Sequence, residues 1–250
     1  MSKKLELREQ RAGTVINRTS KKQEKDLDKA IKKAVDELGD KYPYLVFEHK
    51  THVKLSDVVD RIAQSFPKVD TKYHFRNTSM RPDGGILYIV DKEGKKYPIL
   101  ISEKKNQGTN DIRELEGKPK QAKGNAIERL GKNVIGFRAM LADESIFPFV
   151  CFGDGCDFAE DSSILDRVAT IAIFGELNKT YLHDVADLSQ FKRGSFYFRI
   201  AEWTMEEMYR TCFDIANRSI QHYYSKYGED SFQVLDKPRI YDYTIESKDQ

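Results

Sequence analysis

Pro82-Asp83-Gly84-Gly85 opens one apolar run of this chain, and Glu103-Lys104-Lys105 closes the next. Side chains alternate along a strand, so Glu103 and Lys105 are expected on one face and Lys104 on the other. Charged residues closing a buried strand are costly unless they meet a cation, an anion or water. If the two runs pair as a hairpin, Asp83 starts its strand beside the end of the strand bearing Glu103. Two carboxylates and an ammonium then converge at one edge of a sheet. That trio suits phosphodiester hydrolysis. Two carboxylates offer hard oxygen ligands to Mg²⁺ and leave water positions open. The ion polarises a scissile phosphate and lowers the pKa of an attacking water, while Lys105 orients that water or offsets charge building on the phosphate. An Asp in a Gly-rich turn followed by a charged strand end is another reading of the same residues. The spacing alone does not separate the two.

The elements that must position these residues follow from periodicity. Leu27, Ile31, Ala34 and Leu38 form one stripe, which predicts a helix from about Asp26 to Leu38, stopped by Gly39-Asp40. Tyr44–Phe47 reads as a short strand and Asp57–Phe66 as a second helix. Ile86–Val90 and Tyr97–Ser102 are near-continuous apolar runs joined by turn residues, the pattern of a hairpin buried on both faces. A polar segment, Asn106–Lys123, precedes a helix over Asn125–Leu141 with Ile127, Leu130, Val134, Phe137 and Leu141 apolar. Phe147–Phe152 is another strand, and Ile164–Phe174, Phe196–Ile200 and a long helix from about Thr204 to Tyr227 complete the chain. Alternating strands and helices predict an α/β fold with a mixed central β-sheet flanked by helices. Three segments are expected: a mobile basic arm over 1–25, one catalytic and recognition domain over 26–228, and an acidic tail over 229–250.

Charge is informative by distribution rather than by total. The net charge is +2, but residues 1–34 carry eleven Lys/Arg against five Asp/Glu, and Lys104–Lys132 carry eight against four. Localised positive charge is what a phosphate backbone rewards, although a solvated basic face would look the same. No apolar run approaches the ~20 residues that cross a bilayer. The charged N-terminus lacks a signal-peptide core, so no membrane is expected and the cytoplasm is the expected compartment. Cys151, Cys156 and Cys212 have no His or Cys spacing that completes a zinc set and are expected to remain structural thiols.

Three segments carry a resemblance to a known family. Ser79–Ile86, Glu103–Gly108 and Gly124–Arg129 resemble, in order and approximate spacing, the KPDGGI, EAKHQG and AAGNAIERS segments of the EcoRI endonuclease family. Asp143–Val150, Glu202-Trp203 and Cys212–Ile215 are similar to later elements of that family, and the likeness runs from about Asp26 to Tyr227. The resemblance implies a restriction-endonuclease-like core of the PD-(D/E)xK type. It implies that Asp83 and Glu103 bind the metal and that Lys105 is the catalytic lysine. The recognition element would be Ala122–Arg129, an extended strand running into a helix that reads AATT in the major groove. There Gly124 belongs to the element's extended part, Asn125 has the amide that bonds adenine bidentately, Arg129 a donor fork for purine edges, and Ala126 a methyl beside thymine. Glu128 would brace arginines.

The sequence departs from the family at the outer base pair. Gln121 stands where the family has a methionine. Arg167 matches the second of two arginines that read the outer guanine, but Ile164 falls on the first. The loop over 107–120 is also shorter than the family's DNA-embracing arm. The expectation is therefore a type II restriction endonuclease, a homodimer that uses Mg²⁺ to cut double-stranded DNA at a short palindrome containing AATT. GAATTC is the leading site, and the products carry 5′-phosphates. A cognate DNA methyltransferase would complete the system. The rival expectations are a nuclease of the same fold acting in repair or recombination, and a non-catalytic DNA-binding protein on this scaffold. Asn125 and Arg129 argue against the first rival, and Asp83, Glu103 and Lys105 standing together argue against the second.

Overall fold

The computed structural model describes residues 15–70, 78–106, 117, 125–155, 158–159, 162–183 and 193–235; side chains are described from Glu24 onward, except those of Asn106, Asn125 and Ala126. The first helix, α1 (Val15–Lys41), buries Leu27, Ile31, Ala34, Val35 and Leu38. It begins at Val15 rather than near Asp26, so part of the stretch expected as an arm is helical backbone. Lys, Gln and Glu are good helix formers and extend a helix beyond its apolar stripe. The strands β1 (Val46–Lys50), β2 (Val53–Lys54), β3 (Ser79–Met80), β4 (Ile86–Val90) and β5 (Lys96–Asn106) follow, with α2 (Leu55–Ser65) between β2 and β3. Then come α3 (Asn125–Met140), β6 (Phe149–Asp154), α4 (Ser163–Ile171), β7 (Ser195–Arg199) and α5 (Met205–Tyr227).

Five strands form one sheet in the order β1-β4-β5-β6-β7, and β2 pairs with β3 separately. β1, β4 and β5 are antiparallel neighbours, whereas β5, β6 and β7 run parallel. Parallel neighbours need crossover connections, and α3 and α4 lie in the two that are required. The mixed central sheet is the expected one. α1 and α5 cover one face, burying Leu87, Ile89, Val150 and Phe152. α2, α3 and α4 cover the other, against Ile86, Tyr88, Phe149 and Cys151. A capping box between Thr204 and Glu207 starts α5, and Gly228 ends it at positive φ.

One irregularity decides which face the charged end of β5 meets. Leu87 pairs with Leu100 but Tyr88 pairs with Pro98, so Ile99 is an extra residue in β5. Proline has no N–H for a ladder, and a bulge tolerates it there. Tyr97, Ile99 and Leu100 all pack toward α1 and α5, while Ile101 packs toward α3. The bulge thus shifts the alternation by one residue and sends Glu103 and Lys105 to the α3 side.

The acidic stretch that begins at 229 starts inside the fold. A 3₁₀ turn, Glu229–Ser231, delivers Phe232 fully buried against Tyr97, Tyr223 and Tyr224. The remainder of the expected tail, 236–250, lies outside the described residues, as do 1–14 of the expected arm. Cys151 and Cys212 are free, buried thiols, as expected; Cys156 lies outside the described residues. Among the described residues, no helix is long and apolar enough to cross a membrane.

Candidate active site

The hairpin brings the two charged segments together through backbone hydrogen bonds. Gly84 N donates to Ser102 O at 3.0 Å and Ser102 N donates to Gly85 O at 3.2 Å. A side chain at Gly84 would run into Ile31 and Leu27 of α1, and Gly85 adopts φ +75° hard against Lys50 O. Glycine is therefore what lets this turn lie flat on its neighbours. Asp83 Oδ2 accepts the backbone N–H of Lys104 at 3.2 Å and the Lys105 ammonium at 3.0 Å. Lys105 Nζ also donates to Glu103 Oε1, which accepts Asn133 Nδ2 from α3 at 3.3 Å.

The electrostatics of this group follow from burial. Glu103 is 1% exposed. Burial raises the pKa of its carboxyl, Lys105 opposes that rise, and the neighbouring Asp83 adds to it. Burial alone would lower the Lys105 ammonium, but Glu103 and Asp83 outweigh it and hold the group above its ordinary value. Lys105 is therefore a cation held between two carboxylates. Glu103 Oε2 is buried without a hydrogen-bond partner among the described residues. A buried carboxylate oxygen left unpaired is costly, and a hard divalent cation is what would satisfy it. Among the described residues no cluster of three His, Cys, Asp or Glu surrounds it. Asp83 and Glu103 would offer such an ion two carboxylates, with water completing the shell, a donor set that fits Mg²⁺.

Lys104 does turn to the opposite face, as alternation requires, but solvent does not receive it. It forms a buried ion pair with Asp154 of β6, whose Oδ2 also accepts the N–H of Trp203 at 3.1 Å. Trp203 Nε1 donates to Gly153 O at 2.9 Å, and Arg199 lies over the indole at 3.6 Å. Periodicity gave Lys104 no partner, because Asp154 is supplied by a strand fifty residues away.

The expected recognition residues are distributed along α3 and α4. Asn125 and Ala126 are the first two residues of α3. Glu128 and Arg129 are exposed on its first turns, and Ile127 and Leu130 are buried beneath them. Arg167, exposed on α4, lines one surface groove together with Glu128, Gly131 and Thr170. Ile164 is 1% exposed and committed to the core under α3, so that position presents nothing to a base. Gln121, Ala122 and Gly124 lie outside the described residues. The residue missed from sequence is Asn133. A polar residue four positions after Arg129 on the same side of a helix was the available signal.

A mixed sheet flanked by helices, with two carboxylates and a lysine gathered at one hairpin, defines the restriction-endonuclease-like class of α/β fold. The family model for restriction endonuclease EcoRI matches residues 9–165, more than half of the chain, and the chain belongs to that family. It is 29% identical over 218 residues to the type II restriction enzyme RsrI of Cereibacter sphaeroides, covering 74% of this chain and 78% of the relative. It is 27% identical over 246 residues to the type II restriction enzyme EcoRI of Escherichia coli, covering 84% and 86%. The chain is accordingly an enzyme, a type II site-specific deoxyribonuclease, with DNA as its substrate.

Proposed function

We propose that this protein cuts both strands of DNA, with Mg²⁺, at a short palindrome containing AATT, GAATTC being the leading candidate, and leaves 5′-phosphate and 3′-hydroxyl ends. The observation that carries this reading is the convergence of Asp83, Glu103 and Lys105, with one oxygen of Glu103 buried and unpartnered. Asp83 and Glu103 would hold the ion. An ion held by these two carboxylates would supply polarisation of the scissile phosphate and a lowered pKa for the attacking water. Lys105, kept protonated by its two carboxylates, orients that water and offsets negative charge developing on the phosphate oxygens.

Recognition falls to the start of α3. Asn125, Ala126 and Arg129, with Ala122 and Gly124 before them, read the inner base pairs in the major groove, and Gln121 stands beside the outer pair. Glu128 braces the arginines, and Arg167 serves the outer pair. One recognition element per chain and a palindromic target call for a two-fold homodimer. A companion methyltransferase would protect host DNA, and the cytoplasm, where that DNA lies, is the compartment. A supercoiled plasmid of known sequence tests the proposal. Linear fragments ending at AATT with Mg²⁺, and intact plasmid with EDTA, are expected. Cleavage that ignores AATT, or that persists in EDTA, would overturn it.

A further inference from the structure

Asn125, Arg129 and Asn133 follow one another at four-residue steps along α3, and so lie on one side of the helix. Asn133 reaches the sheet. Its Nδ2 donates to Glu103 Oε1 at 3.3 Å, the same oxygen that accepts the Lys105 ammonium. Glu103 Oε2 is buried and accepts no hydrogen bond from the described residues. The two donors found among the described residues therefore hold one oxygen, and the other is the one that could meet a cation. They are not equivalent. The ammonium carries charge that opposes a divalent ion and is shared with Asp83. The amide is neutral, and it rides on a helix fixed in the core by Ile127, Leu130, Val134 and Phe137.

We propose that Asn133 is a positioning residue: it fixes the carboxylate plane of Glu103 from the base-reading helix, so that one hydrogen bond joins the seating of α3 on DNA to the geometry of the cation site. This rests on the functional reading of α3 and Glu103 given above. Removing an outer hydrogen-bond partner of a metal ligand typically lowers metal affinity by ~10–100-fold. A base or phosphate reader would instead weaken DNA binding with no metal present.

The test measures Mn²⁺ affinity of the full-length protein by electron paramagnetic resonance, and affinity for an AATT duplex in EDTA. It compares wild type with Asn133→Ala and the near-isosteric Asn133→Leu, neither of which can donate. Mn²⁺ affinity is expected to fall ~10–100-fold in both, with duplex affinity in EDTA retained; if the alanine variant fails to fold, the leucine variant decides. Unchanged Mn²⁺ affinity would overturn the proposal. So would a loss of duplex affinity in EDTA equal to the loss of Mn²⁺ affinity, or a wild-type protein that binds no Mn²⁺. If the wild type shows no preference for AATT, the functional reading fails, and the Mn²⁺ affinities still judge the Asn133 link.

Discussion

Lys104 and Asp154 form an ion pair on the face of β5 opposite Glu103 and Lys105, with side chains only 2% and 3% exposed. Burial lowers the pKa of the Lys104 ammonium, and Asp154 counters that shift. Removing one member of a buried pair strands the other and typically costs about 3–5 kcal/mol. Lys104→Ala should therefore lower stability toward the smaller end of that range, because Asp154 keeps the Trp203 N–H. Replacing both partners with apolar residues of similar size should recover most of the loss. Urea melts of the single and double variants check this, and a Lys104→Ala protein as stable as wild type would remove the ion pair from the account.

On the other face, function rather than stability should change. Glu103→Gln should abolish cleavage while leaving specific DNA binding in place, since it removes the charge proposed to bind the metal and leaves the proposed base readers of α3 unchanged. Lys105→Ala should slow cleavage by ~10²–10⁴-fold, the usual contribution of a positioned electrostatic or proton-handling group. Gel-shift and single-turnover cleavage assays on one duplex separate the two effects. Full activity in either variant would take that residue out of the site.

What the sequence made legible, and what it hid, divides along this strand. The hairpin, the alternation of Glu103 and Lys105 against Lys104, and the helix from Asn125 are all local consequences of periodicity and turn residues. The last residue of β5, Asn106, was not legible as strand, because the expected strand closes at Lys105 and pairing with β6 alone continues it. The bulge at Ile99 was hidden as well, since it depends on register against β4. Lys104's partner is tertiary and leaves no trace in spacing; spacing puts Asn133 on the side of α3 that carries Arg129, but its contact with Glu103 is tertiary. Phe232 is similar: one aromatic in an acidic stretch is anchored by rings from β5 and α5.

Glu144 should set the acid limit of folding. Burial pushes its carboxyl up, but the His222 side chain, 3.9 Å away, and hydrogen bonds from Lys226 and Tyr227 outweigh that and hold it at about 2. An unfolded glutamate titrates near ~4.3. A depressed carboxylate contributes stability above its unfolded pKa and loses it as pH falls through the folded one. The contribution is roughly 3 kcal/mol, fully present above about pH 5 and gone near pH 2. Thermal melts from pH 7 to pH 3 should fall less steeply for Glu144→Gln than for wild type. Parallel curves would show that other groups govern acid unfolding.

The two classes of DNA reader should fail differently. Asn125→Ala should weaken binding to every AATT site, because it removes the proposed bidentate adenine contact, a kind worth ~1–3 kcal/mol. Arg167→Ala should instead relax the outer base pair, where the buried Ile164 offers no contact. Competition binding against duplexes varied at one position checks both. Equal losses across all duplexes for Arg167→Ala would make it a phosphate contact.

The most direct measurement is digestion of a randomised double-stranded library with the purified protein and Mg²⁺, followed by sequencing of the ends. Cuts confined to palindromes containing AATT, with ligatable 5′-phosphates and with G·C or relaxed preference at the outer pair, are expected. Ends lacking AATT, or no cleavage by folded protein that binds the metal, would contradict the reading of α3 and of the Asp83–Glu103–Lys105 site together.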